Sequence, residues 1–226
     1  MDGYAVVDVE ATGRSPWRHR MVEVAVVLLD DGLRTEGEFA TLLDPVGPVG
    51  PTHVHRITQD EVAGAPRFRE IAPRLLELLA GRVLVGHHVA CDRAFLEREF
   101  ARIGVVLPTV PQLCTMRLAR HRLSDAGSYG LAACAAAAGL GWFPAHTALG
   151  DARATAGLLR HCLRDEPAPR RPEQPSAAEV PWPRLAPARS GRAAGGVALR
   201  RRSLPHGPRP AGAEGPWQLI GAPGGE

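Results

Sequence analysis

The chain has 226 residues, 45% of them hydrophobic, enough for one full-sized domain with a packed core. Its 27 strong bases, all of them Arg, face 24 acids, and its cysteines Cys91, Cys114, Cys134 and Cys162 form no CxxC pair, which argues against a zinc site or a disulfide framework. The N-terminus opens directly into a strand-like run with no signal peptide pattern, and no apolar stretch approaches the ~20 residues of a membrane span, so a soluble, cytoplasmic protein is expected.

Residues 4–9 and Met21–Leu29 are β-branched runs split by a Gly/Pro-containing stretch, which suits two strands joined by a loop. Residues 34–43 can form a third strand, and the three can make an antiparallel meander. Phe68–Leu79 puts Phe68, Ile71, Leu75, Leu76, Leu78 and Leu79 on a helical face, with Pro73 in the first turns. Residues 83–85 read as a short apolar strand, and residues 91–103 carry Phe95, Leu96, Phe100 and Ile103 at helical spacing. Residues 131–138 and 152–163 read as two more helices. Strands first, then alternating helix and strand, predict an α/β domain: a mixed sheet with helices packed on it.

The composition changes near Arg164. The 62 residues from Asp165 onward hold 12 Pro and 9 Gly, with 9 Arg against 6 acids, so the chain's excess positive charge lies there and residues 1–164 are neutral. So much Pro and Gly with so few large apolar residues cannot offset the entropy of ordering. The expected organisation is a domain over residues 1–164 and a mostly disordered Pro/Gly/Arg-rich tail over 165–226. A chain ending near Arg164 is then expected to keep its fold and its chemistry. In the tail, Trp182 and the segment from Pro216 to Ile220 are the stretches that look adhesive.

Four acids stand where chemistry can use them. Asp8 and Glu10 sit at the end of the first strand at i, i+2, which puts both carboxylates on one face. Two such acids repel unless a cation neutralises them. Asp92 opens the helix that follows Gly86-His87-His88, and Asp151 stands five residues after His146, before an apolar helix. Each of these alone is equally a helix-capping acid or a surface residue. Their order is more specific: Asp-x-Glu-x-Thr-Gly at 8–13, His-x-Ile-Thr at 55–58, Gly-His-x-x-x-x-Asp at 86–92, and His-x-x-x-x-Asp at 146–151.

This order resembles the DnaQ-like, or DEDDh, exonuclease family, which includes the proofreading epsilon subunit of bacterial replicative polymerases, RNase T and oligoribonuclease. The resemblance covers about residues 4–163. It departs at His88 and Cys91, where the family usually carries Asn and an aromatic residue. It implies a ribonuclease H-like mixed sheet of about five strands, and a 3′→5′ exonuclease using two divalent cations, Mg²⁺ or Mn²⁺, which prefer carboxylate and water oxygen. By the same resemblance Asp8 bridges both ions, Glu10 and Asp151 complete the site of the ion holding the attacking water, Asp92 holds the second, and His146 is the general base. Thr12, Gly13, His55 and His88 are candidates for gripping the terminal nucleotide, and Trp17, Tyr129 and Trp142 for stacking on bases. Single-stranded or frayed 3′ ends are the implied substrate, with DNA favoured. The competing readings are an exoribonuclease of the same family, a non-catalytic nucleic-acid-binding module, which predicts a missing ligand although all four acids and the histidine are present, and an interaction subunit whose tail docks on a polymerase or sliding clamp through Trp182 or the segment 216–220.

Overall fold

The apolar run at the start of the chain becomes the central strand of a five-stranded sheet. The computed structural model describes residues 3–123, 127–164, 180–185 and 199–202. In chain order the elements are β1 (Tyr4–Ala11), β2 (Met21–Leu29), β3 (Thr35–Leu42), the short helices α1 (Thr52–His55) and α2 (Gln59–Val62), α3 (Phe68–Leu79), β4 (Val83–Gly86), α4 (Val89–Arg102), β5 (Gln112–Cys114), α5 (Thr115–Arg122), α6 (Leu131–Ala137) and α7 (Ala148–Leu163). The sheet runs β3-β2-β1-β4-β5; the first three strands pair antiparallel, and β4 and β5 continue in parallel. The antiparallel meander and the mixed sheet are as expected from the sequence.

Strand alternation divides the core into two layers. Ala5, Val7, Val24, Val26 and Leu28 meet α3 and α4 through Leu75, Leu96 and Phe100. Tyr4, Val6, Ala25 and Val27 meet α7 through Ala152, Ala156 and Leu159. Each fully buried Leu or Phe of these layers contributes about 1.5–3 kcal/mol over its exposed state. Helices on both faces explain why β2 is buried at every position and reads as a continuous apolar run. The paired register of β1 with β4 ends at Val6↔Val85, so beyond it the two strands leave room at their C-terminal ends.

Two stretches of the Pro/Gly-rich tail lie against the domain. Val180, Trp182 and Leu185 pack on the α3–α4 layer, as does Leu199, and Leu42 donates its N–H to the Arg200 carbonyl at 2.8 Å. Trp182 thus turns inward onto its own chain; the segment 216–220 lies outside the described residues. No helix among the described residues is long and apolar enough to cross a membrane.

Candidate active site

The site forms where β1 runs out of apolar residues. Tyr4 through Val7 are buried, and from Asp8 the strand is half-buried. Asp8 and Glu10 share the face of Tyr4 and Val6, the face that α7 covers. Glu10 lies directly across from Glu23 of β2, which is 2% exposed and the only charged residue of its strand. The Glu23 carboxylate accepts the N–H of Ala148 at 2.9 Å, the first residue of α7. An anion at a helix N-terminus is favoured by the unpaired N–H groups and dipole there. Glu23 was not singled out in the sequence, because its partner lies 125 residues away. A lone acid in an otherwise apolar strand is the local signal that could have flagged it.

The segment His146-Thr147-Ala148-Leu149-Gly150-Asp151 is a helix start built around its cap. Thr147 Oγ1 accepts the Gly150 N–H at 3.2 Å and donates to the Pro144 carbonyl at 2.7 Å. A side chain at Gly150 would run into that carbonyl and that hydroxyl, which is why glycine stands there. The turn leaves Asp151 in the first turn of α7, its Oδ2 accepting the His146 N–H at 3.2 Å and its Oδ1 buried without a partner. His146 itself is exposed, with a left-handed φ of 60°. Ligand atoms of Glu10, His146 and Asp151 lie within 4.8 Å of one another.

Asp92 reaches the same place from the other layer. It lies in the first turn of α4, is 7% exposed, and passes so close to Gly86 that a side chain there would sit 2.9 Å from its Oδ2. The left-handed residue that begins α4 is His88, at φ 84°. Asn and His are both enriched in that conformation, so the departure from the family's Asn keeps the backbone turn. His88 and Cys91 are exposed.

The four acids act on one another. Burial raises Asp8 well above the carboxylate range, with Asp92, Asp151, Glu10 and Glu23 pushing in the same direction. Burial, then Asp151 and Glu23, push Glu10 up to about 8, against a downward pull from Arg202. Burial carries Asp92 to about 8, opposed by the N–H groups of Asp92 and Val9, and Asp151 to about 6, opposed by the His146 N–H. A dense set of hard oxygen donors that repel one another, one of them a buried oxygen with no partner, fits divalent cations of the Mg²⁺ or Mn²⁺ type.

Several of the remaining candidates serve the fold. The His55 ring is 1% exposed; its Nε2 lies 3.2 Å from the Val49 carbonyl and its Nδ1 accepts the Ile57 N–H at 3.0 Å. No ring nitrogen is left to grip a nucleotide, so the expected direct contact from His55 is not what the geometry offers. Ile57 is fully buried, and Thr58 caps α2 in a box with Glu61, so the His-x-Ile-Thr motif builds a loop. Thr12 exchanges backbone and side-chain bonds with Arg20, and the His19 ring fills the space where a side chain on Gly13 would stand. Trp17 is 70% exposed under the Arg98 guanidinium, Trp142 is 49% exposed, and Tyr129 is half-buried. The structure also brings in a residue the sequence did not suggest: Arg202 of the tail donates to the carbonyls of His146 (3.1 Å) and His55 and lies 3.7 Å from the Glu23 carboxylate.

Residues 5–159 match the family model described as exonuclease, of the RNase T type. The DNA polymerase III epsilon subunit of Aquifex aeolicus is 31% identical over 169 residues, covering 73% of this chain and 83% of that protein. A PolC-type DNA polymerase III of Clostridium perfringens is 34% identical over 165 residues, 72% of this chain; the chain spans only 11% of that relative's length. Among solved structures, exonuclease X in complex with 5′ overhanging duplex DNA is 28% identical with a TM-score of 0.57, covering 73% of this chain and 95% of that one. Escherichia coli exonuclease I in complex with a dT13 oligonucleotide shares the fold with a TM-score of 0.63 at 18% identity, covering 72% of this chain and 41% of that one.

Proposed function

Because the chain belongs to the DnaQ-like, RNase T exonuclease family, we propose that it removes nucleotides from the 3′ ends of DNA by hydrolysing the terminal phosphodiester with two divalent cations. The observation that carries this reading is the convergence of the half-buried Asp8, Glu10 and Asp151 and the buried Asp92 in one cluster beside the exposed His146. Asp8 would hold both ions, Glu10 and Asp151 one of them, and Asp92 the other. Bound there, the ions supply charge for the phosphoryl oxygens, a more acidic attacking water and stabilisation of the leaving oxygen.

The chain's own groups do the rest. The raised carboxyls of Glu10, Asp92 and Asp151 would have to give up protons to hold cations, so activity should depend on pH through ligand ionisation. His146 stands on the solvent side of Glu10 and Asp151, where its ring can take the proton of an attacking water. Imidazole exchanges a proton near neutral pH, and such a base contributes about 10²–10⁴-fold. Thr147, Gly150 and Glu23 keep the start of α7 rigid, and with it the spacing of His146 and Asp151. The neutral charge balance of residues 1–164 suits a short grip on a frayed end better than tight duplex binding driven by phosphate charge. The preference for DNA is supported by the names of two relatives, a DNA polymerase III epsilon subunit and a PolC-type DNA polymerase III, and by the duplex DNA in the exonuclease X complex.

The test is purified protein with Mg²⁺ or Mn²⁺ on single strands labelled at the 5′ end, on matched and mismatched duplexes, and on RNA. The expected result is a ladder shortening from the 3′ end, faster on DNA and on mismatched ends. Release of the 5′ label first, or no hydrolysis with either ion, would sink the reading.

A further inference from the structure

We propose that residues 199–202 form a strap that completes the active site, and that Arg202 is the positioning residue that holds His146 in place against Glu10 and Asp151. The inference rests on the functional reading above, adds to it a part of the chain beyond the family-matched segment 5–159, and replaces the expectation from composition that a chain ending near Arg164 keeps its full chemistry.

The strap is anchored at several points. The Leu42 N–H donates to the Arg200 carbonyl at 2.8 Å, and the Arg200 N–H donates to Thr41 Oγ1 at 3.3 Å. The Arg200 guanidinium donates to the Ala63 carbonyl, and Leu199 packs on the α3–α4 layer. These contacts fall in one row of the sheet. Glu10 pairs with Glu23, Glu23 pairs with Leu42, and Leu42 bonds to Arg200. The strap is therefore tied to the edge strand β3 at the row that carries Glu10 and Glu23, and two residues later the chain brings a guanidinium beside Glu23.

That guanidinium is 7% exposed and bridges three parts of the molecule. It donates to the carbonyl of His146 on the loop before α7, to the carbonyl of His55 at the end of α1, and faces Glu23 on β2. A planar fork with five N–H donors suits such a bridge, and an ammonium does not reproduce it. What it holds needs holding. His146 is a non-glycine residue at positive φ, and its carbonyl is the group that Arg202 grips. Its N–H is fixed on Asp151 from the other side, so the two bonds together set the direction of the imidazole. Arg202 also places a positive charge beside the buried Glu23, which otherwise has the Ala148 N–H as its neutralising contact. Buried between backbone carbonyls, the guanidinium does not face solvent as a phosphate-binding or inhibitory group would.

The experiment uses the full chain, single-stranded DNA and saturating Mn²⁺, with wild type, Arg202→Ala, Arg202→Lys and, as a control, Arg69→Ala at an exposed position of α3. Arg202→Ala should lower kcat by about 10²-fold, the scale of a misplaced catalytic group, with KM changed little. Guanidinium ion, well below unfolding concentrations, should restore part of that turnover and leave wild type unaffected. Arg202→Lys should lie between, and Arg69→Ala should match wild type. In metal-free protein, Arg202→Ala should speed amide hydrogen exchange at His146, Thr147 and Ala148. Unchanged kcat in the Ala and Lys variants of an active wild type, or unchanged exchange, would overturn the proposal. A rise in KM alone would make Arg202 a substrate-phosphate ligand instead, and faster turnover in Arg202→Ala would make the strap a plug; both overturn it. Should Arg202→Ala fail to fold, a Lys variant with wild-type kcat has the same force. A wild-type chain that hydrolyses no strand would overturn the functional reading itself, an outcome distinct from equal rates in wild type and variant.

Discussion

Two sets of buried acids in this molecule meet opposite fates. Glu38 and Glu99 are each 1% exposed, and each is met by an arginine fork: Arg153 on Glu38 at 2.8 and 2.6 Å, Arg20 on Glu99 at 2.8 and 3.0 Å. Those pairs tie α7 to β3 and α4 to the start of β2. Asp8, Glu10, Asp92 and Asp151 are crowded with one another instead, and burial and mutual repulsion push their carboxyls up. An acid buried with its own counter-charge is scaffold. Acids buried against one another are an open demand for positive charge, and that demand marks the site. Glu23 stands between the two sets, with a backbone N–H on one side and Arg202 on the other.

The largest expected effect comes from removing one of the crowded acids. Asp8→Asn should abolish turnover, measured on 5′-labelled single strands, while metal-free thermal stability stays level or rises because a repelling charge is gone. His146→Ala should keep Mn²⁺ and strand binding, with kcat lower by about 10²–10⁴-fold. Near-normal turnover in that variant would move the proton transfer to another group.

The scaffold set should respond in the opposite way. Arg153→Ala leaves the Glu38 carboxylate buried without its fork and should cost about 3–5 kcal/mol, read as a lower midpoint in urea. Activity of the fraction still folded should be largely retained. If Asp8→Asn destabilised the metal-free chain as much as Arg153→Ala, the division between the two sets would fail.

A smaller effect is expected from pH. Glu10 and Asp92, at about 8 in the folded chain against ordinary values of 4.5 and 3.8, hold their protons longer folded than unfolded. Their effect on stability is therefore least harmful near pH 4, and stability is lost as pH rises towards and through 8. In EDTA the melting temperature should be lower at pH 9 than at pH 5, at about 2–4 °C per kcal/mol. Saturating Mn²⁺ should cancel that loss. A melting temperature that climbs with pH in EDTA would contradict the crowding.

Much of this was legible in the sequence where a periodic signal is strong. β1, β2, α3, α4 and the larger part of α7 announce themselves through apolar runs or helical faces, and the four acids through their order along the chain. β5, with three half-buried residues, carries no such run, and α5 is rich in Arg with only Thr115 and Ala119 buried. The four-residue helices α1 and α2 are too short for a period to show. His55 looked like a ligand-binding histidine because its motif is shared with the family, but both ring nitrogens serve the backbone around it. Glu23 and Arg202 escaped notice because their partners lie far along the chain, 125 residues away for Glu23 and 56 and 147 for Arg202, and Arg202 acts from a segment whose composition forecasts no structure.

The central claim, that the crowded acids are a cation site and the paired ones are not, is tested most directly by calorimetric titration of Mn²⁺ into wild type, Asp8→Asn and Arg153→Lys at neutral pH. The account predicts saturable binding with proton release in wild type and Arg153→Lys, and its loss in Asp8→Asn. Equal binding by wild type and Asp8→Asn, or no binding by wild type, would contradict it.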